Sequence, residues 1–119
     1  MSYILDAACL CNTGKLRKNN EDNFFFDNRC LELENSGLRH PVRMTKTLQR
    51  GLCVAVYDGM GGENFGEYAS FVAAEHMKSS TRRLKDFFIP ERRFLNSMCS
   101  KINDAVVAKQ QELLTERMG

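Results

Sequence analysis

The chain has 119 residues, 43% of them hydrophobic and 27% charged, with a formal net charge of +2. That is one domain at most, large enough to bury a core without disulfide or metal staples. The near-neutral balance gives no argument for a nucleic-acid partner in bulk. No apolar run approaches membrane-spanning length, and the N-terminal Met-Ser-Tyr-Ile-Leu-Asp lacks the basic region of a signal peptide, so the expectation is a cytoplasmic protein without a membrane partner.

In chain order, residues 3–11 read as a strand ending at the turn signal Asn12-Thr13-Gly14. After the acidic pair Glu21-Asp22 the run Phe24-Phe25-Phe26 predicts a second strand over 22–27, apolar enough to be buried on both faces. Leu31–Glu34 and Val42–Leu48 form a candidate hairpin around Asn35-Ser36-Gly37. Residues 52–57 predict a third firm strand. The period then changes. Phe65, Ala69, Val72, Ala73, His76 and Met77 recur at helical spacing, with Asn64 available as N-cap, predicting a helix near 65–84 that ends at Lys85-Asp86-Phe87-Phe88. Pro90 suits the first position of another helix, near 90–117, striped by Phe94, Met98, Ile102, Ala105 or Val106, and Leu113. Such a stripe packs on a sheet more often than it forms a coiled-coil seam. Strands followed by helices give an α+β class.

The five cysteines, Cys9, Cys11, Cys30, Cys53 and Cys99, are odd in number and contain no C-x-x-C pair, which argues for reduced, mostly buried thiols. Cys9 and Cys11 would share a strand face, so a metal pair there stays open. Arg29, Arg39, Arg43, Lys46 and Arg50 crowd one segment and read as a solvated loop.

The chemistry concentrates at two places. The apolar run Val54-Ala55-Val56-Tyr57 stops at Asp58, followed by Gly59, Gly61 and Gly62. A lone carboxylate at a buried strand end is costly unless a cation or donor offsets it, and the glycines let a backbone carbonyl approach a ligand. Upstream stand Arg17, Asn20, Glu21 and Asp22. If the three strands share one β assembly, these ends can converge. Hard divalent cations take such oxygen donors, and an arginine fork suits phosphate. Together they describe phosphoryl hydrolysis.

Gly14-Lys-Leu-Arg17-Lys-Asn-Asn20-Glu21-Asp22 resembles the G-x-x-R-x-x-N-E-D motif of the metal-dependent, type 2C serine/threonine protein phosphatases. Asp58-Gly-Met-Gly-Gly62 with Gly66-Glu67-x-Ala69-Ser70 is similar to the second motif of their bacterial branch. Either motif alone is weak; an Asn-Glu-Asp triplet is usually a solvated turn and Asp-Gly-x-Gly-Gly usually a tight loop. The resemblance implies an antiparallel β-sandwich flanked by two long antiparallel helices, of which residues 1–119 would be the N-terminal half. The later motifs (R-x-G-T-T, G-D-S-R, D-G, D-N) are absent, and Glu116-Arg117-Met118-Gly119 resembles the start of the R-M-G-T-T strand. It further implies two Mg²⁺ or Mn²⁺ ions in the intact domain, with Glu21 ligating one, Asp58 bridging both and the Gly59 carbonyl joining Glu21. Arg17 would bind the substrate phosphate and Asp22 would orient water from behind the ligands. The substrate would be a phosphoserine or phosphothreonine protein, opposing a kinase. Met60 replaces the histidine that some members carry, and His76 reads as a packing residue. The rival reading is a non-catalytic interaction module of the same fold. For the fragment by itself, the missing downstream ligands imply poor catalysis and poor metal binding, and open sheet edges and apolar helix faces imply self-association.

Overall fold

The computed structural model describes residues 2–48, 52–60, 65–83 and 90–118. Its elements run β1 (Tyr3–Cys9), β2 (Asn23–Phe25), β3 (Val42–Leu48), β4 (Ala55–Tyr57), α1 (Gly66–Arg83) and α2 (Glu91–Met118). The class is α+β, as expected. The strands form two two-stranded antiparallel sheets, β1 with β3 and β2 with β4.

β1 and β3 alternate in the strand period. Leu5, Ala7 and Cys9 turn inward together with Val42 and Met44, while Ile4, Arg43 and Thr45 face out. Antiparallel pairing runs from Tyr3 opposite Leu48 to Cys9 opposite Val42. On the outer face the register places Thr45 opposite Asp6, where the hydroxyl donates to Oδ1 at 2.6 Å. The proposed Leu31–Glu34 hairpin with Val42–Leu48 does not form. The Leu31 N–H donates to Asn23 Oδ1 (2.9 Å), the Asn35 amide donates to the Glu32 carbonyl (2.7 Å), and the Gly37 N–H donates to Asn35 Oδ1 (2.9 Å). Side-chain amides have taken the backbone groups that a ladder would use.

β2 is shorter than the 22–27 predicted because Asp27 (φ 49°) and Asn28 (φ 61°) adopt left-handed backbone. Phe26 and Arg29 exchange two hydrogen bonds of 3.0 Å across them, a tight hairpin turn of the type that favours Asp and Asn at both central positions. Lys46, on β3, pairs with the Asp27 carboxylate of this turn and holds it below the usual carboxylate range. The basic segment is therefore partly strand rather than solvated loop; Arg50 lies outside the described residues.

The three phenylalanines are buried on both faces, as predicted, and divide the core. Phe24 and Phe26 pack with Leu31 and Met44 beneath β1 and β3. Phe25 points the other way, to Met77 of α1 and Met98 of α2. The helical stripes face this second cluster, with Phe94 and Ile102 beside Met98. Lys109 sits 6.0 Å from the centre of the Tyr68 ring, so the end of α2 lies near the start of α1 and the helices run in opposite directions. α2 continues to Met118, so residues 116–118 are helical and not a strand start. Their sequence prolongs a run of good helix formers, including Glu112, Leu113 and Leu114, with no breaker before it. The expected cap Asn64 and the stop at 85–88 lie outside the described residues. No helix among those described is long and apolar enough to cross a membrane.

The cysteines are free, but none is fully buried: Cys9, Cys11 and Cys53 pack at the edge of the core clusters, and Cys99 is exposed. Burial, reinforced by donation to Glu75 Oε1 at 3.0 Å, pushes the Cys30 thiol up to about 11. Burial also raises Cys53, and lifts Tyr57 to about 12. These groups are favoured neutral in the folded chain, whereas the unfolded thiols ionise near pH 9. Stability should therefore hold up to about pH 9 and fall as pH rises toward the folded values. Urea midpoints measured at neutral pH and near pH 10 check this; an unchanged midpoint would contradict it.

Candidate phosphate and metal cleft

The segment between β1 and β2 is built by asparagine. Asn12 Oδ1 accepts from the Gly14 N–H (2.8 Å) and turns the chain, with Gly14 at φ 80°. Buried Asn20 donates to Asn35 Oδ1 (2.7 Å) and to Cys11 Sγ (3.1 Å), while its own Oδ1 accepts from the Asp22 N–H at 3.3 Å. The Leu38 N–H donates to the Cys11 carbonyl at 2.8 Å. This network ties residues 20–22 to the loop around Asn35, so Glu21 and Asp22 leave a fixed backbone. Downstream, β4 pairs Tyr57 with Asn23, which delivers Asp58 and Gly59 beside the same segment.

The result is a cleft of about 200 Å³ lined only by polar residues: Asn12, Thr13, Arg17, Asn19, Asn20, Glu21, Asp22 and Asp58. Four of the five predicted site residues, Arg17, Glu21, Asp22 and Asp58, share it. The fifth, Gly59, is buried behind them. A Cβ on Gly59 would stand 2.2 Å from the Glu21 carbonyl oxygen and 2.2 Å from that of Gly66. A Cβ on Gly66 would meet the Gly59 carbonyl oxygen at 2.6 Å and the Glu21 carboxyl carbon at 3.2 Å. The Gly59 carbonyl and the Glu21 carboxylate therefore border one spot at the start of α1. Phe65 precedes the helix with φ 89°, a conformation costing about 1–3 kcal/mol for a non-glycine residue.

Two features depart from expectation. Asp58 is exposed, not buried, because β4 stops at Tyr57 and the carboxylate opens into the cleft. Its charge is met by water, so it needs no cation to be tolerated. Arg17 is bound to Glu21, with Nη1 2.7 Å from Oε2, in an (i, i+4) pair whose arginine is well exposed. Among the described residues no group of three or more His, Cys, Asp or Glu side chains is arranged to hold a metal ion. The donor set that does converge is oxygen-only: one carboxylate and one carbonyl at the glycine contact, with further carboxylates around the cleft. Oxygen donors are the type that hard divalent cations such as magnesium or manganese take, with water completing the shell. Cys9 and Cys11 belong to no such group, and Cys11 is engaged by Asn20. His76 is half-buried, and its shielded Nε2 has no hydrogen-bond partner among the described residues.

Asn12, Thr13 and Asn35 stood out in the sequence only as turn residues and Asn19 not at all; the density of asparagine from 12 to 35 is the signal that points to the network. Gly61, Gly62 and Glu63 lie outside the described residues. No protein-family model, curated protein or solved structure matches the chain.

Proposed function

We propose that this chain carries the N-terminal half of a metal-dependent serine/threonine phosphatase domain of the type 2C, bacterial kind, hydrolysing phosphoserine and phosphothreonine in proteins. The observation that carries the reading is the shared polar cleft: two separate sequence motifs supply Arg17, Glu21, Asp22 and Asp58 to it, with the Gly59 carbonyl beside Glu21. The two clusters on either side of β2 are compatible with half of a sandwich. On this reading Glu21, Asp58 and the Gly59 carbonyl would hold Mg²⁺ or Mn²⁺. When bound, such ions supply Lewis-acid polarisation and charge neutralisation at a phosphoryl group. The chain's own residues do the rest. Arg17, exposed at the rim, would exchange Glu21 for the incoming phosphate, a charge-assisted swap between two anions that the guanidinium fork serves equally. Asp22, held by Asn20 at its backbone, would orient water from beside the ligands. The setting would be cytoplasmic, with a phosphoprotein substrate and an opposing kinase.

The test is hydrolysis of an aryl phosphate by the full protein with and without manganese. Activity should require the metal and fall about a hundredfold or more in Asp58→Asn and in Arg17→Ala. The 119-residue chain alone should turn over weakly, since its described residues offer the second ion only the bridging acid. Metal-independent turnover, or turnover indifferent to Asp58→Asn, would contradict the assignment. One observation favours the non-catalytic alternative, an interaction module of the same fold: Arg17 is already neutralised by Glu21. That reading predicts binding of phosphopeptide or protein without any hydrolysis.

A further inference from the structure

Arg17 and Asn19 line the polar cleft, and the loop 14–19 that carries them forms one of its rims. The loop is fixed at both ends. Asn12 turns the chain into it through the Gly14 N–H, and a bridge between Asn12 and Gly37 anchors that turn. Buried Asn20 closes it, held by Asn35 and Cys11. Every residue from 14 to 19 is exposed, Leu16 at 97%. The rim is also basic. It carries Lys15, Arg17 and Lys18, and no acidic residue occurs between Asp6 and Glu21. Arg17 is taken by Glu21. Neither Lys15 nor Lys18 has an ion-pair partner among the described residues, whereas Lys46, Lys78 and Lys109 each hold a carboxylate. The cleft beside them carries Glu21, Asp22 and Asp58. Two unpaired cations therefore border an acidic site.

We propose that Lys15 and Lys18 select phosphoprotein segments that carry aspartate or glutamate close to the phosphoresidue. The inference rests on the phosphatase reading and adds to it the class of substrate. A phosphate that enters the cleft to meet Arg17 brings its own peptide across this rim, since both lysines share the short loop with Arg17. Extended peptide advances about 3.3 Å per residue, so the long lysine side chains meet groups only a few places from the phosphoresidue. Charge then decides which groups are favoured. Carboxylates answer the unpaired ammonium groups and are repelled by Glu21, Asp22 and Asp58, so an acidic flank stays on the rim while the phosphate goes in. A loop already held at both ends loses little freedom on binding. An ammonium is a point charge without a set orientation, so the preference is for acidity near the phosphate and not for one exact sequence. A nucleic acid fits less well, because the loop has no aromatic side chain on which a base could stack.

The test is fluorescence anisotropy with the full protein, manganese and labelled peptides bearing a non-hydrolysable phosphonate analogue of phosphoserine. At low salt the peptide with acidic flanks should bind about three- to tenfold more tightly than one with alanine flanks, the scale of two exposed ion pairs. The double variant Lys15→Ala, Lys18→Ala should lose this preference. Lys15→Arg with Lys18→Arg should keep it, and so should Leu16→Ala, which removes exposed bulk without changing charge. High salt should erase it in the wild type. Equal affinity for the two peptides, or a preference that survives in the double alanine variant, would overturn the proposal. So would displacement by a short oligonucleotide as effective as by unlabelled acidic peptide. Manganese-dependent turnover of an aryl phosphate, measured on the same preparation, reports on the parent reading separately. A lysine-dependent preference without turnover would support the rim and contradict only the hydrolysis.

Discussion

Gly59→Ala is expected to lower folding stability by about 3 kcal/mol, the upper end of ordinary overpacking costs. The residue does not need a left-handed backbone; it needs room. An added methyl carbon would stand 2.2 Å from the carbonyl oxygens of both Glu21 and Gly66, and backbone oxygens cannot rotate away as a flexible side chain can. Relief requires the β1–β2 segment and the start of α1 to separate, which opens the spot where the Glu21 carboxylate and Gly59 carbonyl meet. Gly14→Ala is the control. It occupies φ 80° with nothing among the described residues within 4 Å of the new carbon, so its cost is conformational, about 1–2 kcal/mol. Urea unfolding of the two variants should rank Gly59→Ala well below Gly14→Ala. Equal midpoints would mean that the close approach of the three segments is absent.

Asn23→Ala should be nearly as damaging, at about 3 kcal/mol, by a different route. Asn23 is 2% exposed and makes three hydrogen bonds: Oδ1 accepts from the Phe24 N–H at 2.8 Å and the Leu31 N–H at 2.9 Å, and Nδ2 donates to the Leu31 carbonyl at 3.1 Å. Truncation strands these backbone groups in the core, where no water replaces the amide. It also frees the segment after Asn28, whose return to β2 depends on the Leu31 contacts. Asn23→Asp keeps the acceptor, loses the donor and brings a carboxylate into an apolar site. Burial would raise its folded pKa, so the variant should be least stable at neutral pH and regain stability, relative to wild type, as pH falls through that raised value. A variant as stable as wild type at neutral pH would show that Asn23 is not buried as described.

Periodicity carried the helices and the strand cores. The 3.6-residue repeat gathers the stripes from Phe65 to Met77 and from Phe94 to Leu113 on one helix face each, where Met77, Phe94, Met98 and Ile102 join the core around Phe25, and Phe24–Phe26 are buried. Pairing was less legible. Val42–Leu48 alternates equally well for Leu31–Glu34 or for Tyr3–Cys9, and only the capture of backbone groups by Asn23 and Asn35 decided between them. Those captures are long-range side-chain bonds that no local pattern announces. The turn at Asp27-Asn28 was legible in principle, since that pair tolerates positive φ. It was hidden by the strong apolar run before it. At the site, motif spacing located the cleft residues, whereas the exposure of Asp58 followed from where β4 ends. The Arg17–Glu21 pair has the (i, i+4) spacing that sequence could have offered.

Manganese titration by electron paramagnetic resonance tests the central claim most directly, because the free ion's signal falls as it is bound and no turnover is required. The chain should bind one ion weakly. Glu21→Gln and Asp58→Asn should each reduce the affinity about tenfold or more, and Asp6→Asn, on the outer face of β1, should leave it unchanged. An undiminished manganese signal with the wild-type chain, or binding equally strong in Glu21→Gln and Asp58→Asn, would contradict a metal cleft built from these residues.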